Sequence, residues 1–136
     1  MLQQTQVKTV IPYFEKFTKK FCSLNSLSKA SESKILKLWE GLGYYRRARN
    51  LLATSKIIVK KYNSKLPRRI DEIKTLPGIG EYTSNVLAAL IYNTPTLALD
   101  GNVKRVISRI LNKEVNKIDF KYFKNINKKK LFKTKR

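Results

Sequence analysis

Histidine is absent from the 136 residues, so no histidine-dependent triad, general base or metal site can form. Cysteine occurs once, as Cys22, which excludes an internal disulfide, a CxxC redox pair and a multi-cysteine metal or iron–sulfur site built from this chain alone. Acidic residues are few, nine against 30 basic ones. Any chemistry must come from those carboxylates, the lysines, the tyrosines and the backbone. No apolar run reaches the ~18 residues of a membrane helix, and no segment looks like a cleavable signal peptide. The expectation is a soluble, intracellular (cytoplasmic) protein with no membrane partner.

What is abundant is positive charge. The net charge is +21 and the pI is about 10.3, which favours a polyanionic partner. The last 24 residues, from Lys113 on, hold ten basic and two acidic residues, and the preceding 112 still carry +13. The tail therefore does not account for the excess, although a lysine-rich genome is a bland alternative.

Apolar residues recur at helical spacing in five stripes and nowhere alternate as in a strand. The stripes are Val7–Val10–Ile11–Phe14–Phe17, Ile35–Leu38–Trp39–Leu42, Leu51–Leu52–Ile58–Val59–Tyr62, Val86–Leu87–Leu90–Ile91 and Val103–Val106–Ile107–Ile110. Short polar breaks at residues 23–33, 63–67 and 93–95 separate them. The fold class is all-α, with residues 1–112 as the core and 113–136 as a basic tail read as frayed or disordered. The opening Met1-Leu2-Gln3-Gln4 runs into the first stripe with no capping residue, as the middle of a helix would.

Asp71-Glu72-Ile73-Lys74 reads as a short helix, followed by Leu76-Pro77-Gly78-Ile79-Gly80 and a long apolar helix beginning near Glu81-Tyr82-Thr83. Two glycines around one aliphatic residue allow a tight turn, with Ile79 plugging the space between the helices. The N–H groups at the start of the second helix could then hold a phosphate, helped by a monovalent cation on the hairpin carbonyls. An ordinary glycine-capped αα-turn is the competing reading. Asp100, in Leu99-Asp100-Gly101-Asn102-Val103, reads by itself as an N-cap. Its position one helix after the hairpin makes it a candidate to stabilise positive charge on the sugar of a flipped nucleotide.

Together these segments resemble the helix–hairpin–helix DNA glycosylase superfamily, and within it the adenine DNA glycosylases. The likeness rests on Met1-Leu2-Gln3-Gln4-Thr5-Gln6-Val7, on Trp39-Glu40-Gly41-Leu42-Gly43-Tyr44-Tyr45-Arg46-Arg47-Ala48-Arg49-Asn50-Leu51, on the hairpin, and on Leu99-Asp100-Gly101-Asn102-Val103. The resemblance implies part of a six-helix barrel domain and a base-excision-repair activity. That activity is hydrolysis of the N-glycosidic bond of adenine mispaired with 8-oxoguanine or guanine in double-stranded DNA, by a monomer. Gln4 and Thr5 match residues that contact the 8-oxoguanine, and Tyr44, with Leu42 beside it, matches an intercalating wedge. One of Tyr44 and Tyr45 is expected to be buried and the other exposed. Gly78, Ile79 and Gly80 match the DNA-backbone hairpin. Asp100 matches the catalytic aspartate, with Tyr82 and Asn102 in support. Bifunctional relatives carry a lysine where Tyr82 stands, so the tyrosine implies a monofunctional hydrolase.

The resemblance also implies what lies outside these residues. The family's general acid is a glutamate two positions before the one occupied by Met1. Its [4Fe-4S] ligands and its 8-oxoguanine-reading domain follow the catalytic aspartate. None of these is in the sequence, so the expectation is an internal slice of such an enzyme, truncated at both ends, with uncovered apolar surface and slow or absent excision. A DNA-binding chain without catalysis, an inactive remnant, and a thymine- or uracil-mismatch glycosylase are the alternatives.

Overall fold

The computed structural model describes residues 1–118 and contains seven α-helices and one 3-10 turn, with no strand among them. The helices are α1 (Val7–Lys20), α2 (Leu24–Ser28), α3 (Glu32–Trp39), α4 (Arg46–Tyr62), α5 (Ile70–Lys74), α6 (Glu81–Tyr92) and α7 (Gly101–Leu111). They form two compact units, one spanning Met1–Ile79 and a second beginning at Gly80.

In the first unit α4 packs on α2 and α3, and α1 packs on α3. Their shared core is Val10, Phe17, Leu27, Ile35, Trp39, Leu42, Ala48 and Leu52. Phe17 meets the Trp39 ring edge-on at 6.2 Å between centroids, a favoured aromatic arrangement. α2 lies in a segment the sequence marks as a polar break. Five residues are too few for periodicity to register, but Ser23 and Ser26 form a reciprocal capping box that starts the helix, and Leu27 is buried.

The chain's opening differs from expectation. Residues 1–6 are a turn and not helix: Gln4 has φ 56°, Thr5 N donates to Leu2 O at 3.3 Å, and α1 starts only at Val7. The carbonyls that a helix would use at i+4 are instead taken by the Arg47 guanidinium, which reaches Gln3 O at 2.6 Å and also Met1 O.

In the second unit α6 and α7 end on asparagines in the left-handed conformation, Asn93 and Asn112, as α4 does on Asn63 in the first. α7 packs on the 3-10 turn Val115–Lys117, and fully buried Ile118 joins Leu99, Leu97, Val103 and Ile107. Residues 113–118, assigned from sequence to the tail, are thus tied to the segment leading into Asp100. The remainder of that assignment, residues 119–136, lies outside the described residues.

Several apolar faces have no cover. On α1, Val7, Ile11 and Phe14 stand out at one-turn intervals, and Leu90 on α6 and Ile110 on α7 are about three-quarters exposed, at 77% and 76%. Among the described residues no helix is long and apolar enough to cross a membrane.

Candidate nucleic-acid interface

Two loops of the first unit carry the residues singled out for base contact. The loop after α3 runs through three demanding positions within four residues: Gly41 at φ 87°, Gly43 at φ 73° and Tyr44 at φ 49°. At Gly41 a side chain is doubly excluded, because a Cβ there would come within 2.6 Å of the Tyr13 hydroxyl. Between the glycines Leu42 is buried at 5%, so it anchors the loop in the core and does not reach solvent as a wedge residue would. Tyr44 does reach solvent, at 62% exposure, on a backbone conformation that costs a non-glycine residue roughly 1–2 kcal/mol. Tyr45 is also exposed, so the expected division into one buried and one exposed tyrosine is not found. The left-handed turn at Tyr44 lifts its ring off the core, and Tyr45, the N-cap of α4, is 41% exposed.

The second loop is the opening turn. Gln4 is exposed and, like Tyr44, left-handed, while Thr5 is half-buried. Both loops converge on Arg47 in the first turn of α4. One guanidinium nitrogen donates to Thr5 Oγ1 at 2.9 Å as well as to the Met1 and Gln3 carbonyls. The other donates to Leu42 O at 3.3 Å and Gly43 O at 3.1 Å. The guanidinium also lies over the Tyr44 ring at 5.2 Å and the Trp39 ring at 5.7 Å, a cation–π arrangement with both. Trp39 Nε1 donates to the same Gly43 carbonyl at 3.1 Å. Sequence reasoning quoted Arg47 within a motif but gave it no role. Its signal is that it precedes Leu51 of the core by one turn, so it points inward while Arg46 and Arg49 face solvent.

The turn at residues 76–79 closes the first unit. Leu76 is buried, Ile79 half-buried, and Ile79 N donates to Leu76 O at 3.1 Å. Thr54 of α4 donates to Pro77 O at 3.1 Å. Gly78, at φ 75°, lies so close to α4 that a Cβ would meet Asn50 Nδ2 at 2.5 Å. Gly80 is exposed and is the N-cap of α6, which has no side-chain cap.

Within the second unit, Asp100 is the N-cap of α7: Oδ1 accepts from Val103 N at 2.7 Å, and Asn102 Nδ2 donates to Oδ2 at 3.4 Å. The carboxylate is half-buried, so one side still faces solvent. Hydrogen bonding brings Asn102 to Asp100 but not Tyr82, which stands exposed on the first turn of α6. Thr96 donates to Asn85 Oδ1 and Asn85 to Glu81 O, which fastens the segment before Asp100 to α6.

The [4Fe-4S] group that the resemblance implies for the family does not fit these residues. Cys22 is exposed and its thiol is the only one in the sequence. Among the described residues no group of histidine, cysteine and carboxylate side chains could hold a metal ion.

Known proteins of one family resemble this chain. The family model described as "HhH-GPD superfamily base excision DNA repair protein" matches residues 1–129. An adenine DNA glycosylase of Buchnera aphidicola subsp. Baizongia pistaciae is 47% identical over 131 residues, covering 93% of this chain and 37% of that protein. The adenine DNA glycosylase of Homo sapiens is 40% identical over 111 residues, covering 81% of the chain and 20% of the relative. The chain thus spans little more than a third, or less, of these relatives' length. Among solved structures, a thermostable thymine-DNA glycosylase superposes with a TM-score of 0.78 at 26% identity, covering 88% of this chain and 56% of that one. A trapped endonuclease III–DNA covalent intermediate superposes with a TM-score of 0.73 at 25% identity, covering 85% and 56%.

Proposed function

The chain belongs to the HhH-GPD superfamily of base excision DNA repair proteins, and from that premise we propose that it is the DNA-reading and sugar-stabilising part of an adenine DNA glycosylase. Its substrate is adenine opposite 8-oxoguanine or guanine in duplex DNA. The observation that carries the reading is Tyr44, an exposed ring on a strained backbone, braced beside the Gln4–Thr5 loop by Arg47. Strain of this kind persists where the surroundings over-determine it, and here it holds a largely exposed aromatic ring against the Arg47 cation.

The division of labour follows from the chemistry. The hairpin at Gly78, Ile79 and Gly80 grips phosphate and supplies register without sequence preference. Carbonyls of Leu76 and Pro77, each with a lone pair beyond its one hydrogen bond, would hold a monovalent cation that helps neutralise the phosphate. Tyr44 intercalates on the 8-oxoguanine strand and restores part of the stacking lost when adenine is extruded, while Gln4 and Thr5 probe the 8-oxoguanine. As the bond from the sugar to adenine N9 breaks, its electron pair leaves with the base and positive charge builds at C1′. The solvent-facing side of Asp100 stabilises that charge until water adds there. Tyr82 offers no amine, so no Schiff base forms and the strand is not cut. The proton taken up by the leaving adenine is assigned to no residue of this chain.

Adenine release from an adenine:8-oxoguanine duplex under single-turnover conditions tests this reading. Asp100→Asn lowers that release steeply, because the positive charge at C1′ loses its facing carboxylate. Unchanged release in Asp100→Asn would return Asp100 to a purely capping role. That second reading, DNA binding without catalysis, is favoured by the engagement of both Asp100 oxygens within the protein. The proposal expects a monomer that acts wherever the DNA is held.

A further inference from the structure

We propose that Arg47 is a positioning residue that locks the opening turn and the Tyr44 loop into a single reading head, so that mispair discrimination depends on its guanidinium fork. The inference rests on the DNA reading above and goes beyond it, since Arg47 itself need not touch DNA. Three facts carry it. The guanidinium is the only group among the described residues that bonds to both loops: Gln3 O and Thr5 Oγ1 on one side, Leu42 O and Gly43 O on the other. Its face covers the Tyr44 ring at 5.2 Å, so the same group that fixes the loop backbones also fixes the ring that they present. Left-handed Gln4, at φ 56°, lies between two residues that the fork bonds, Gln3 and Thr5, and the ring it covers belongs to left-handed Tyr44, at φ 49°.

Chemistry makes this a task for arginine in particular. A planar fork offers five N–H donors in fixed directions and a stacking face, whereas a lysine ammonium is a point charge that can satisfy one loop or the other. Four of those donors are directed at the loops through the two terminal nitrogens, and Nε, buried, has no partner among the described residues.

The test measures affinity for an adenine:8-oxoguanine duplex and for the same duplex with adenine:thymine, on the full chain and its Arg47→Lys, Tyr44→Ala and doubly substituted forms. The expected result is that Arg47→Lys keeps its affinity for the ordinary duplex and loses about tenfold of its preference for the mispair, the scale of one base–aromatic stack. On a Tyr44→Ala background the same substitution changes nothing further, because the ring it positions is gone. Equal losses on both duplexes, including loss of folding, would assign Arg47 to the fold and overturn the proposal. Undiminished preference in Arg47→Lys, or a loss that adds to that of Tyr44→Ala, overturns it as well. A parent chain that shows no preference at all removes the adenine-mispair reading and this inference with it. A parent with the preference that Arg47→Lys retains removes the inference alone.

Discussion

At the scale of single residues, Asp100 separates two roles that one carboxylate can play. Asparagine caps a helix about as well as aspartate, so Asp100→Asn keeps the bond from Val103 N and leaves thermal stability nearly unchanged. Asp100→Ala loses that acceptor and costs about 1 kcal/mol, read as a lower unfolding midpoint in urea. Both variants lose adenine release, and only the second loses stability. A different residue makes a pH-dependent contribution. Burial first, and the neighbouring Arg47 charge second, hold the Met1 α-amino group below its ordinary value of 8.0. With the folded-state pKa depressed, the unfolded chain binds more protons in the window just below 8.0, so stability rises with pH through that window and levels off above it. Thermal unfolding of a polypeptide that starts at Met1 shows this slope, and acetylating the amino group abolishes it. Which residues matter was only partly legible in the sequence. Asp100 and Tyr44 stood out by motif, but Leu42 went to the core and Arg47 to the bridge between two loops, because both outcomes depend on which loops the fold brings together.

At the scale of elements, the turns set the conditions that the helices obey. Gly78→Ala forces a side chain into Asn50 at a backbone angle that suits glycine, which costs at least about 1–2 kcal/mol and loosens the turn at residues 76–79 from α4. The variant binds any duplex more weakly, mispaired or not, because the hairpin reads phosphate and not bases. That outcome is distinct from Tyr44→Ala, which spares ordinary duplex and strips the preference. Fluorescence anisotropy on the two duplexes separates them. The long helices α1, α3, α4, α6 and α7 were readable because each repeats an apolar contact over two or more turns. The asparagines that end α4, α6 and α7 fall in or beside the breaks that the sequence marks. α2 escaped because its signal is a pair of serines around a capping box, not a stripe. The left-handed backbone at Gln4 has no sequence signature, and the Arg47 fork that bonds its neighbours Gln3 and Thr5 stands more than 40 positions away.

For the molecule as a whole, charge and uncovered apolar surface dominate. A net charge of +21 makes binding to any duplex electrostatic at root. A cleft of about 510 Å³ beside α1 and α3 is lined by Lys16, Lys20, Lys34 and Lys37 together with Glu40, Pro12, Leu38 and Tyr13, whose hydroxyl approaches Gly41. If about four phosphates are neutralised, affinity for undamaged duplex falls about 100-fold between roughly 50 and 200 mM salt. The ratio of mispair to ordinary affinity stays nearly constant over that range, because both duplexes release the same counterions. The exposed stripes at Val7–Ile11–Phe14 and on α6 and α7 were legible as apolar periodicity, and uncovered apolar surface was itself an expectation of the resemblance. That ratio is also the most direct measure of the central claim, that a braced aromatic ring lets this chain recognise adenine mispaired with 8-oxoguanine. Measured by anisotropy at one fixed salt concentration, the account predicts a preference of about tenfold for the mispaired duplex, abolished by Tyr44→Ala. Equal affinity of the unaltered chain for mispaired and adenine:thymine duplexes would contradict it.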